Sequence, residues 1–179
     1  MTRSSGLNDS RAQGYTAIEL LVTIAVLAII TAYAIPALGE IVVRNRLAVQ
    51  ANELVGALNY ARSEAVSRGG TVALCPSRPP YTACDISSSW SEGWVVFADG
   101  GVTGAIDDAA DVLRVFDALQ SGSTLDASGT QAVRYLPDGF LDASAPSTFT
   151  LRPGQCAGHD LRIIRITPQG RPQVRTASC

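Results

Sequence analysis

The sequence predicts an α+β protein: one long N-terminal helix whose second half packs on a mostly antiparallel β-sheet head. Three observations predict it. An apolar run opens at Tyr15 and lasts to Leu38. A stripe of helical period continues beyond it as far as Gly69-Gly70. After that, short strand-like runs alternate with turn signals, and the connections are too short for repeated strand–helix–strand crossovers.

Residues 1–14, MTRSSGLNDSRAQG, form a short polar leader with Arg3 and Arg11 against Asp9. An ordinary secretory signal places its apolar stretch before a small-residue cleavage site, whereas here the apolar run follows Gly14. As helix, residues 15–38 would be about 36 Å long, enough to span a bilayer, with the arginine-bearing end left on the cytoplasmic side. Glu19 is the anomaly. A carboxylate at membrane depth is costly unless neutralised or paired. In a chain that began at Tyr15, the terminal amine of a neighbouring subunit would be its obvious partner. The competing reading is a glutamate snorkelling near the interface of a simple anchor. Pro36 removes a helix donor and crowds the preceding turn, which predicts a bend or a loosened turn.

Residues 39–69 continue the helix. Leu47, Ala51, Leu54, Leu58, Ala61 and Ala65 recur at spacings of three and four, while Arg44, Asn45, Gln50, Glu53, Asn59, Arg62, Glu64 and Arg68 lie elsewhere. One helix from about Thr16 to Arg68 would run roughly 80 Å, its first half in a membrane or filament core and its second half laid against a globular domain. Gly69-Gly70 is the natural stop.

Residues 70–179 read as the β-rich head. The predicted strands are Thr71–Cys75, Gly93–Ala98, Asp111–Asp117, Gln131–Tyr135, Ser147–Arg152, Leu161–Thr167 and Gln173–Thr176, separated by Pro- and Gly-containing turns such as Pro137-Asp138-Gly139 and Pro168-Gln169-Gly170. Roughly 140 residues remain after the leader and apolar segment, enough for one domain with a real core. Trp90 and Trp94 read as core and strand-end packing. Asp99 to Asp108 reads as an acidic surface hairpin, since it lacks the alternating oxygen ligands of a calcium loop.

Net charge is −2, which argues against a general polyanion binder, and all 14 basic residues are arginine. The distribution is uneven: residues 85–142 carry ten acids and two arginines, whereas residues 150–179 carry five arginines and one acid. Cys75, Cys84, Cys156 and Cys179 all follow the apolar segment, as expected for two disulfides in an exported domain. Four cysteines allow three connectivities, and Cys75–Cys84 with Cys156–Cys179 is favoured because each pair closes a separate local loop. With no CxxC pair and only one histidine, His159, a zinc site is not expected, and neither is any cofactor. No catalytic constellation stands out, so the expectation is a protein that is not an enzyme.

The segment GYTAIELLVTIAVLAIITAYAIPAL, Gly14 to Leu38, resembles the class III signal of type IV pilins and type II secretion pseudopilins, usually written GFTLIELL. Tyr15 and Ala17 are mild departures that keep an apolar entry. The resemblance implies cleavage after Gly14 by a prepilin peptidase, methylation of the new terminus at Tyr15, an assembly role for Glu19, and a helix proline at Pro36. It extends through RNRLAVQANELVGALNYARSEAVSRG, VALCPS, WSEGWVVFAD and ITPQGRPQV, which are similar to the FimT/FimU/GspH group of minor pilins and pseudopilins. That group implies a pilin-like head, anchorage in the bacterial inner membrane with the head in the periplasm, and other major or minor pilins or pseudopilins as partners.

Three roles follow from the resemblance: a minor pilin of a type IV pilus, serving assembly, twitching or adhesion; a pseudopilin of a type II secretion system; or a DNA-binding subunit at a pilus tip. FimT-like members are associated with DNA capture through a Gly-Arg-x-Arg element near the C-terminus. Gly170-Arg171 matches its first half, but the next arginine, Arg175, comes two places late. Arg162 and Arg165, three apart in one strand, fall on opposite faces, while Arg171 and Arg175 share parity; a patch of Arg171, Arg175 and one of the other two is the candidate DNA contact.

Overall fold

The structure, a computed structural model, describes residues 15–179 apart from Ile86, Ser88, Ser121, Thr130, Gln131, Ser144, Pro146 and Ala157, and describes Pro36 and Ala37 only in their backbone. Gly14 lies outside the described residues. Two compact units are formed, Met1–Gly39 and Glu40–Cys179.

Helix α1 covers Ala17–Arg68. Thr16 starts it: its hydroxyl and carbonyl both accept from the Glu19 N–H, at 3.3 and 3.1 Å, and the carbonyl also accepts from Leu20. The helix is continuous through Pro36. At its end Gly69 takes φ +62, and the N–H groups of Gly70 and Gly69 close on the carbonyls of Ala65 and Val66. This is a Schellman stop, which needs a residue without a Cβ penalty at the left-handed position.

In the second unit two four-stranded antiparallel sheets share the buried stripe of α1. Sheet 1 has the order β3-β2-β1-β5, from β1 Val72–Pro76, β2 Trp94–Ala98, β3 Val112–Phe116 and β5 Val133–Tyr135. Sheet 2 has the order β4-β6-β7-β8, from β4 Thr124–Ala127, β6 Thr148–Arg152, β7 Asp160–Ile166 and β8 Pro172–Ser178. The pilin-like α+β architecture expected of the chain is therefore the one observed. Strand β4 was not expected: TLDA has a single large apolar residue between two Ser/Gly clusters, too short a run to signal a strand.

One core joins the pieces. Leu47, Ala51, Leu54, Leu58, Ala61 and Ala65 of α1 are buried together with Leu74, Val96, Trp94, Tyr135, Phe149, Leu151 and Ile164. Ala61 and Ala65 have no exposed surface, and their small size lets the strands approach the helix. Trp90 meets the Phe149 ring edge-on with centroids 4.9 Å apart, and Trp94 stacks on Phe116 at 5.5 Å. Gln50, read from the sequence as part of the polar face, is buried at 6% exposure. It lies between Leu47 and Leu54 on the inner side, and its Nε2 donates to the Gln120 carbonyl at 3.2 Å.

The outer face of sheet 1 carries a second, smaller core of Ala73, Cys75, Val95, Phe97 and Ala132, covered by Tyr81, Cys84 and Ile106. Period-2 alternation puts Ala73 and Cys75 opposite Val72 and Leu74, so β1 and β2, at the centre of sheet 1, are buried on both faces by their own chain. The segment from Asp99 to Asp108 joins the antiparallel pair β2 and β3 and is mostly exposed, as an acidic surface hairpin should be, but its first acid is turned inward. Asp99 is buried and accepts from Arg134 Nε at 2.6 Å and from the Gly104 N–H at 2.9 Å. Arg134 also reaches Asp142, at 2.6 Å. Asp107 accepts from the Val102 N–H at 2.9 Å, inside the same loop.

Candidate functional site

Two surfaces bear the residues singled out by the sequence. The first is the segment of α1 in the N-terminal unit. Tyr15 is 86% exposed, and Ile18, Leu20, Leu21, Ile24, Leu27, Ile29 and Ile30 are exposed along with it. Thr23 and Thr31 return their hydroxyls to backbone carbonyls of Leu20 and Leu27, which removes polar groups from an apolar surface. The helix is long and apolar enough to cross a membrane. Glu19 is its acid in the first turn, where the positive end of the helix dipole favours a carboxylate. That local role was not apparent from the motif alone, although Thr-x-x-Glu before an apolar run is a helix-start signal.

The second surface is the outer face of sheet 2. Thr148 and Gln173 flank Arg165 across the strands, and Thr150 and Arg175 flank Ile163. Directly opposed residues share a face, so Arg165, Gln173 and Arg175 point the same way, with Arg165 and Arg175 diagonal neighbours. Arg171, in the turn entering β8, has the same parity and accepts through its carbonyl from the Thr167 N–H at 3.0 Å. All three arginines are exposed, and among the described residues none has an ion-pair partner. Arg152, on the same face, is paired with Asp126. Arg162 lies on the opposite face, in register with Leu151 and Thr176, and donates to the Thr176 hydroxyl. The candidate set is therefore divided, with Arg165, Arg171 and Arg175 on one open face and Arg162 turned inward.

Disulfides tie both ends of the head. Cys75 is joined to Cys84 with Cα atoms 5.5 Å apart, and Cys156 to Cys179 at 5.4 Å. The second fastens the end of β8 beside the start of β7, where the Cys179 N–H also donates to the His159 carbonyl. Just beyond the first loop, the Ser87 hydroxyl and then Arg78, which lies within it, hold the Asp85 carboxyl down at about 2. Among the described residues no group of three or more His, Cys, Asp or Glu side chains is placed to hold a metal ion.

Gly170 explains the first half of the Gly-Arg pair without reference to a ligand. It has φ +78, and a Cβ there would overlap the Gly139 carbonyl oxygen and stand 2.9 Å from Cε1 of Tyr135. Arg62 of α1 donates to that same carbonyl at 2.9 Å. The turns at Gly139 and Gly170 thus meet on the helix.

A long helix bearing a head of this kind places the chain in the pilin-like class. Residues 50–170 match the family described as type II transport protein GspH. The chain belongs to this family of minor pilins and pseudopilins. Two crystal structures of the type IV minor pilin FimU of Pseudomonas aeruginosa are similar to it. One is 26% identical with a TM-score of 0.55, covering 74% of this chain and 90% of that one. The other, in a second crystal form, is 24% identical with a TM-score of 0.51, covering 70% and 89%. Comparison with curated proteins finds no match.

Proposed function

We propose that the chain is a minor pilin of a type IV pilus, a structural subunit without turnover. A prepilin peptidase cuts it between Gly14 and Tyr15 and methylates Tyr15. The apolar part of α1 holds it in the inner membrane with its head in the periplasm. Assembly with other pilins then buries that helix, and the Glu19 carboxylate meets the terminal amine of a neighbour. The observation that carries this reading is a membrane-length helix with exposed apolar residues and one acid in its first turn, in a chain whose fold is similar to a type IV minor pilin. A lone carboxylate next to a new chain terminus supplies what a packed apolar filament core otherwise lacks, a charge pair that fixes register. The test is the mass of the mature protein from cells with and without prepilin peptidase. The expected product starts at methylated Tyr15, and an intact Met1 in peptidase-bearing cells refutes the proposal.

The alternative within the family is a pseudopilin of a type II secretion system. Deleting the gene separates the two: loss of pili marks the first, and loss of protein secretion with pili intact marks the second. DNA capture is a further reading, favoured by the open face that carries Arg165, Arg171 and Arg175. Three phosphate contacts make only a modest, salt-dependent contribution to binding. If replacing all three by glutamate leaves duplex binding by the mature chain unchanged, that reading is wrong.

A further inference from the structure

Sheet 2 opens into a cleft of about 300 Å³ where β4 and β6 part. Thr124 is paired with Arg152, so Ser123 and Pro153 are the next residues outward on the two strands. Proline has no N–H to donate, and the ladder stops there. Helix α1 contributes Val43, Arg46 and Leu47 to the lining, and the turn after β6 contributes Gln155 and, at its end, His159. Leu47 and Pro153 are buried and Val43 half-buried, which gives the cleft an apolar base.

Two polar groups of this cleft have no use within the head. Ser123 is 6% exposed, and its hydroxyl has no hydrogen-bond partner among the described residues, although a buried hydroxyl is expected to have one. Its Oγ is not among the unsatisfied atoms sealed from solvent, so its open surface belongs to the cleft that Ser123 lines. Arg46 stands between this cleft and a wider one beside β3, and makes no ion pair among the described residues, with Glu53 and Asp117 of the wider cleft or with any other acid. Three and four residues from it along the helix stand Val42, Val43, Val49 and Gln50, none of them acidic. No carboxylate among the described residues lines the cleft, so its charge is positive. A smaller neighbouring cleft differs: there Glu40 and Asp160 balance Arg44 and Arg162, and the Arg162 Nε is sealed from solvent.

We infer that the cleft binds the phosphodiester of an anionic phospholipid from the bilayer that anchors the chain. A phosphodiester carries one negative charge shared by two unesterified oxygens. The planar fork of Arg46 suits that pair of oxygens, and the Ser123 hydroxyl donates to one of them. Val43, Leu47 and Pro153 take the glycerol carbons. The tether selects the source of the phosphate. Val43 follows Leu38, the end of the apolar run, by five residues, so the two lie no more than about 18 Å apart however the chain is arranged. The anchor thus presents lipid phosphate to the cleft at high effective concentration. The inference rests on the anchored-pilin reading given above, and it gives the subunit a hold on the membrane surface before assembly withdraws it.

The test uses the full chain in bilayer nanodiscs, with a photo-crosslinker in place of Gln155, an exposed residue of the cleft. In discs of phosphatidylglycerol it should couple to lipid, and Arg46→Gln should lower the yield at least about tenfold, the worth of one charge-assisted hydrogen bond. Ser123→Ala should lower it severalfold without lowering the melting temperature, because the hydroxyl it removes has no partner in the head. Arg44→Gln, on the same helix but in the balanced cleft, should change the yield little. Equal losses from Arg44→Gln and Arg46→Gln would mean diffuse attraction to the charged surface and overturn the inference. Glycerol phosphate, added to the detergent-solubilised chain, tests the free source: its binding without lipid coupling in the discs overturns the lipid assignment. A folded, bilayer-inserted chain that neither couples to lipid nor binds glycerol phosphate overturns the site and leaves the pilin reading standing. A chain that alkali extracts from cell membranes overturns both.

Discussion

At Gly170 a side chain would have to displace a backbone carbonyl, an aromatic ring and Arg62 together. Gly170→Ala is expected to cost about 2–4 kcal/mol, from left-handed strain plus overpacking, read by chemical unfolding of the detergent-solubilised chain. Tyr135 beneath it is fully buried, and burial pushes its hydroxyl pKa well above the ordinary value. Arg134 is a different kind of constraint. Replacing it by methionine strands the Asp99 carboxylate in the interior at a cost of about 3–5 kcal/mol, whereas a chain that also carries Asp99→Asn should recover much of the loss. A double-mutant cycle measures that coupling, and simple additivity would show that the pair does not act as one. Asp85, the residue after Cys84, provides a pH signature beside the disulfide loop. Its folded-state pKa is depressed, so the stabilisation it gives is complete above the ordinary carboxylate value near 3.8 and is lost as pH falls through about 2. Carboxyl NMR should find it titrating near 2, and Ser87→Ala should move it upward.

Helix α1 and seven of the eight strands were legible because their signals are local. The heptad-like stripe from Leu47 to Ala65 declares its buried face, and Gly69-Gly70 declares its end. Strand β4 was not legible because its partner, β6, supplies what the four residues lack. The burial of Gln50 and Asp99 was hidden for the same reason: their partners Gln120 and Arg134 are 70 and 35 residues away. In the candidate basic patch, parity along one strand separated Arg162 from Arg165, but only the register of β7 against β8 brought Arg165 next to Arg175. Strand β8 is an edge whose far end is fastened by Cys156–Cys179. Changing both cysteines to serine should lower stability by about 2–4 kcal/mol for a 23-residue loop, with hydrogen exchange rising first along Pro172–Ser178. Uniform loss of protection across sheet 1 instead would show that the bridge acts on the whole head.

For the whole molecule, assembly and folding are assigned to different residues. Glu19→Ala should leave insertion, cleavage and the melting of the head unchanged while sharply reducing incorporation into filaments. Fractionation of membrane and sheared surface protein reads both outcomes, and normal incorporation refutes the amine contact. The GspH match, residues 50–170, takes in the C-terminal part of α1 and every strand but β8, and within the head the two sheets stand under unequal constraint. At the centre of sheet 1, β1 and β2 have the helix on one face and loops of the chain on the other, so nearly every substitution in them must be accommodated by packed neighbours. Sheet 2 presents Thr148, Thr150, Gln173 and the arginines to solvent, where exchanges usually change stability by no more than about 0.5 kcal/mol. Lineages that share this fold can therefore rewrite what the outer face of sheet 2 touches in a few mutational steps, while the rest of the head is held nearly fixed. Divergence in specificity should concentrate on that one face.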